Sequence, residues 1–196
     1  SRRSFRAHVA SSELHVFAFA VEPTPAGVSV DTKNPKWIQV CKTGTYKGYR
    51  GGGKTFTITD DTFAQVIRNF RAHPSYLAGT EQLPPEEAAA KASAGAIGVV
   101  PFDIDHVGGP AEAWGLEMAA GPDGKGGTGL WLYTYFLEPA YTWMTQSRFK
   151  WTSITWESDA TDPVSGAKVG AYVMSVALTN DPFVQGMSPI QQGRAA

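Results

Sequence analysis

Three distant stretches of the chain, 101–106, 149–156 and 172–180, alternate apolar and polar residues with the period of two that marks a strand with one buried face. Each carries one isolated polar group: His106, Ser153 and Ser175. In the last stretch Tyr172, Met174, Val176 and Leu178 form one apolar face, and Val173, Ser175, Ala177 and Thr179 form the other. By the same parity Ser153 shares a face with Trp151, Thr155 and Glu157, opposite Thr152, Ile154 and Trp156. A histidine and a serine presented from neighbouring strands of one sheet would make a candidate hydrolase site.

The rest of the pattern is mostly strands with a few helices. Leu14–Val21 predicts a first strand, ended by Pro23 and Pro25, and Val28–Val30 a short second one. Trp37–Val40 and Thr55–Thr59 read as a hairpin whose tip is the glycine-rich loop Gly44–Gly53. Thr59, Asp60 and Asp61 supply N-cap candidates for a helix with Phe63, Val66, Ile67 and Phe70 on one stripe, stopped by Pro74. Pro84–Ala92 begins like a helix, with prolines and acids in its first turn. Its apolar residues are almost all alanine, so it is expected as a surface helix or flap.

From Ile97 onward strands are expected at 99–106, 114–119, 130–136, 150–157 and 171–178, separated by turn clusters such as Gly121–Gly127 and Asp162–Gly166. A short helix over 139–147 would place Tyr141, Met144 and Thr145 inward. The predicted class is α+β: a mainly antiparallel β-barrel or curved sheet wrapped by a few helices. With 196 residues, one domain over 1–196 is expected, with 1–12 and 188–196 as loose ends.

Composition narrows the function classes. Lys plus Arg number 17 against 18 for Asp plus Glu, which gives no electrostatic reason to expect nucleic acid or a membrane surface as partner. No apolar run approaches the roughly 20 residues that span a bilayer. The lone Cys41 excludes an internal disulfide and a cysteine-rich zinc site, which suits a reducing, cytosolic setting.

Two motifs lose their obvious meaning on inspection. Gly48–Thr55 matches the phosphate-loop pattern letter for letter, yet that loop requires a helix to start at its Lys-Thr, and Thr55–Thr59 alternates as a strand. It reads instead as a hairpin tip with two cations. Asp103, Asp105 and His106 are potential metal ligands, but too few donors converge, and His8, His15 and His73 are scattered without ligand spacing. No metal and no cofactor is expected. A lone histidine at a strand end is more often structural than catalytic, and a serine in a strand is commonly a small residue on the solvent face. The case for His106 and Ser153 rests on their combination.

At these residues the chain resembles the Mu-type prohead proteases, the phage I-like proteins that mature capsids, and more distantly the herpesvirus assemblins. The resemblance spans about 37–187. It is carried by the order and spacing of four elements: the Gly/Arg loop before the Thr55–Phe56 strand and its helix, the acid-His segment followed by Pro110–Gly115, the Phe149–Lys150 lead into the Ser153 strand, and Ala177–Pro182. The resemblance implies a serine endopeptidase on an assemblin-like fold, with a scaffold region following in the full-length protein. It would act in the host cytoplasm, inside the immature prohead, on scaffold, major capsid and portal proteins, and also on itself.

By position, His106 corresponds to the family's general base, Ser153 to its nucleophile, and Ser175 to the third place, where relatives carry histidine or glutamate. A serine there holds a tautomer without supplying charge, so either the enzyme is slow, or an acid such as Asp105 or Asp181 compensates, or the site is a dyad. Arg148 and Lys150 are candidates to assist the oxyanion, and Gly108–Pro110 and segment 86–94 to gate substrate. Gly193–Ala196 is a candidate self-cleavage end, and a homo-oligomer is possible. The rival reading is a non-catalytic capsid-assembly or scaffold-binding module that retains the protease fold; a plain β-rich interaction domain is a third.

Overall fold

The computed structural model describes residues 36–47, 55–77, 99–162, 164–190 and 194–195. The expected strands at 14–21 and 28–30, the alanine-rich segment and the loose start at 1–12 lie outside the described residues. Nine strands and two helices lie wholly within them: β1 (Lys36–Lys42), β2 (Gly44–Lys47), β3 (Thr55–Ile58), α1 (Asp60–Arg71), β4 (Val100–Ile104), β5 (Ala113–Pro122), β6 (Thr128–Phe136), α2 (Ala140–Thr145), β7 (Trp151–Thr161), β8 (Lys168–Thr179) and β9 (Arg194–Ala195).

Seven strands form one sheet in the order β7-β8-β4-β5-β6-β1-β9, antiparallel except where β4 runs parallel to β8. The sheet curls as a half-barrel, so that β1 returns to β7 from the far side. A side chain spans the gap: Thr152 Oγ1 donates to the backbone carbonyl of Gln39 at 2.9 Å, both residues being buried. The mixed α+β class with a curved, mainly antiparallel sheet is therefore observed.

α1 follows its sequence signals closely. Thr59 caps it, its hydroxyl accepting from the Thr62 amide while Thr62 returns the bond to the Thr59 amide, each at 3.2 Å. Phe63, Val66 and Phe70 are buried against the sheet, with Ile67 at the margin. Burying three such side chains contributes on the order of 2 kcal/mol apiece. Asn69 adds direction, because its amide donates to the carbonyls of Val169 and Ala171 at 2.9 and 2.8 Å and docks α1 on β8.

Four expectations are corrected. The hairpin is not between β1 and β3: β3 pairs with β2 in a separate two-stranded sheet, and β1 pairs with β6 and β9. The apolar face of β8 does not run unbroken. Thr155 pairs with Ser175 and Trp156 with Val173, leaving Met174 as the extra residue of a bulge. The bulge inverts the parity, so Ala171 and Val173 join Val176 and Leu178 in the core while Met174 is 54% exposed. In α2 Met144 is buried and Tyr141 packs against the core as expected, but Ala140 takes the other buried place and Thr145 faces solvent. Among the described residues of 188–196, Ile190 is not loose but buried, with its amide on the Lys150 carbonyl at 2.8 Å, and Arg194–Ala195 pairs with β1.

Candidate functional site

His106 does not lie in a strand. β4 ends at Ile104, and Asp105 and His106 both take positive φ, 49° and 60°, in a tight turn. Such a conformation is costly for residues with a Cβ and persists only where the surroundings hold it. Here Asp103 does so: one carboxylate oxygen accepts from the His106 amide and the other from the Gly108 amide, both at 3.1 Å. The Asp105 amide donates to the Leu178 carbonyl at 3.1 Å, tying the turn to β8. The exposed imidazole is thereby aimed back over the sheet.

His106 and Ser153 do not come from adjacent strands. β8 lies between β4 and β7, and the turn carries the imidazole across it. Nδ1 of His106 lies 2.9 Å from Oγ1 of Thr155, two residues beyond Ser153 on the same strand. Thr155 is the functional candidate that the sequence did not single out, although it shares Ser153's parity.

Ser153 pairs with Ala177 and is 7% exposed, and its hydroxyl makes no hydrogen bond among the described residues. His106, Ser153 and Thr155 line one cleft of about 340 Å³ together with Ile154, Trp156, Asp181 and Phe183. A second, narrow crevice of about 30 Å³ opens beside Ser153 between β7 and the β2–β3 sheet.

Ser175 faces Thr155 across the β7–β8 ladder, and among the described residues it is Thr155, not Ser175, that meets Nδ1 of His106. Of the two acids considered, Asp181 lines the cleft and the exposed Asp105 does not. Arg148 sits over the Trp143 ring at 5.6 Å and Lys150 over Trp151 at 5.9 Å, both outside the cleft lining. Asn180 fixes the lead into β7, its side chain accepting from the Lys150 amide and donating to the Arg148 carbonyl.

Two other features have structural roles. Burial opposes ionisation of Asp123, but the amides of Lys125 and Gly127 and the Lys42 ammonium at 3.4 Å outweigh it and hold the carboxyl below its ordinary range. This pins the turn between β5 and β6. The phosphate-loop match begins in residues outside those described, and its last residue, Thr55, opens a strand rather than a helix. Among the described residues no three His, Cys, Asp or Glu side chains group as metal ligands, and no helix is long and apolar enough to cross a membrane. No protein-family model, curated protein or solved structure matches the chain.

Proposed function

We propose that the protein is a serine endopeptidase of the prohead-maturation kind, with Ser153 as nucleophile and His106 as general base. The observation that carries the reading is that an imidazole held at Nδ1 by Thr155 shares one cleft with a Ser153 hydroxyl that makes no hydrogen bond among the described residues. A serine hydroxyl is a weak nucleophile at neutral pH without such a base.

With Thr155 Oγ1 accepting the Nδ1 proton, the Nε2 lone pair is available to the Ser153 hydroxyl. Ser153 Oγ bonds to the peptide carbonyl carbon, its proton passes to Nε2, and the imidazolium returns it to the leaving amine as the C–N bond breaks. Water, deprotonated by the same imidazole, then hydrolyses the acyl-enzyme. A threonine orients and accepts but adds no negative charge, so this site stabilises the imidazolium less than a carboxylate would. On the resemblance, the substrates are scaffold, major capsid and portal proteins and the enzyme's own chain, met inside the immature prohead.

A fluorophosphonate probe followed by peptide mapping tests the reading. Labelling at Ser153 that disappears in His106→Ala supports it. Labelling at Thr155 instead moves the nucleophile two residues along β7. Absence of labelling in an assembled sample removes the enzyme and leaves the scaffold-binding module.

A further inference from the structure

We infer that Phe56 sets the size of the substrate side chain accepted beside the scissile carbonyl, holding the protein to small apolar residues there. The inference rests on the endopeptidase reading of the Ser153 cleft.

Two spaces meet at Ser153. One is the open cleft with His106, about 340 Å³; the other is the narrow crevice of about 30 Å³ walled by Val40, Phe56, Ile58, Trp156, Phe183 and Val184. In acyl transfer the side chain next to the attacked carbonyl must lie within a few ångströms of the nucleophile, so it enters a recess that opens at Ser153, and the crevice is the more enclosed of the two. No ionised group lines this crevice, which selects an apolar side chain. A single water needs roughly 10–15 Å³ by the same measure, so the space suits a methyl group and excludes an isobutyl or aromatic one.

Among the walls, Val40 and Ile58 are buried core residues, whereas Phe56, on the same strand of the two-stranded sheet as Ile58, is only half-buried. Its ring is placed by other rings: Phe183 stacks on it at 4.8 Å, Trp156 meets it edge-on at 6.3 Å, and Tyr46 lies at 5.7 Å. The same ring therefore narrows the crevice and can be truncated without removing a strand of the main sheet. A truncated aromatic leaves an apolar space; one of about 150 Å³ stays dry and binds hydrocarbon.

The test is side-chain profiling at the residue preceding the cleaved bond, on matched peptides, with wild type, Phe56→Ala and the milder Phe56→Leu. Wild type should favour Ala over Leu more than tenfold in kcat/KM, since even one methylene in an apolar pocket discriminates by roughly 10- to 200-fold. Phe56→Ala should cut that ratio at least tenfold, and Phe56→Leu should move it less in the same direction. A ratio unchanged in both variants, or a wild type that prefers Leu or Phe, overturns the inference. Should no cleavage depend on Ser153, the endopeptidase reading fails separately, and binding decides the pocket. N-acetyl-leucinamide should then shift the Trp156 indole N–H resonance in Phe56→Ala and not in wild type; no shift in either refutes the pocket.

Discussion

The His106 imidazole and the Thr155 hydroxyl meet across an intervening strand, 2.9 Å apart, although β8 separates β4 from β7. A side chain that reaches over a neighbouring strand needs its far end fixed, and Thr155 supplies that end. Thr155→Val keeps the shape and removes the bond. It should lower kcat/KM by roughly 10- to 100-fold, less than the roughly 10⁴-fold loss on corrupting a charged third residue. Thr155→Ser should restore most of the activity, and thermal unfolding should show both variants near wild-type stability. Undiminished turnover in Thr155→Val would show that the imidazole needs no such partner.

If base and nucleophile act as one unit, their losses do not add. Ser153→Ala and His106→Ala should each abolish most turnover, and the double variant should be no slower than the worse single one. Single-turnover rates on a common peptide check this. Additive losses would mean that the two residues act in separate steps.

Asp103 works one stage earlier, on the backbone that carries His106. Its carboxylate accepts from two amides and holds a turn with positive φ at two residues that are not glycine. Asp103→Ala should cost about 1–3 kcal/mol in denaturant unfolding, the range for lost hydrogen bonds to a charged acceptor. Activity should fall further than the unfolded fraction explains, because the relaxed turn no longer aims the imidazole. Asp103→Asn, which keeps an acceptor, should fall between the two. A stability loss with normal specific activity would assign Asp103 to folding alone.

What the sequence revealed follows the range of each interaction. α1 was legible down to its cap and its buried stripe, because Thr59, Phe63, Val66 and Phe70 are local signals. The strand positions from 99 onward were legible for the same reason. Pairing was not: β3 joins β2, and nothing in the alternation of Trp37–Val40 shows that β1 belongs with β6. The β8 bulge was hidden too, since period two reads on through Met174, and only the register with Trp156 and Thr155 reveals the extra residue. His106 and Ser153 were visible as residue types. Thr155 was not, because its partner depends on the sheet order and on a turn that alternation mistakes for the end of a strand. Asp103 followed by Gly108–Gly109 is the turn signal that marks where β4 stops.

Cys41 makes the alkaline limit of stability measurable. Burial raises its thiol from about 9 to about 12, partly offset by a backbone hydrogen bond at Lys42. Between those values the folded chain keeps a proton that the unfolded chain has released, so the unfolded state binds fewer protons and stability falls as pH rises. One such group contributes a slope of up to about 1.4 kcal/mol per pH unit. Burial likewise raises Tyr46 from 10.0 to about 12, with the same sign. Urea midpoints should therefore decline from pH 9 upward, and Cys41→Ala, whatever its cavity costs at neutral pH, should show a shallower decline, with the Tyr46 share reduced as well because the Cys41 thiolate is one of the charges that raise it. In the native protein at pH 8 the thiol should stay unlabelled by maleimide until urea unfolds the chain. Equal alkaline slopes with and without the sulfur, or rapid native labelling, would mean that Cys41 is reached by water and titrates in the ordinary range.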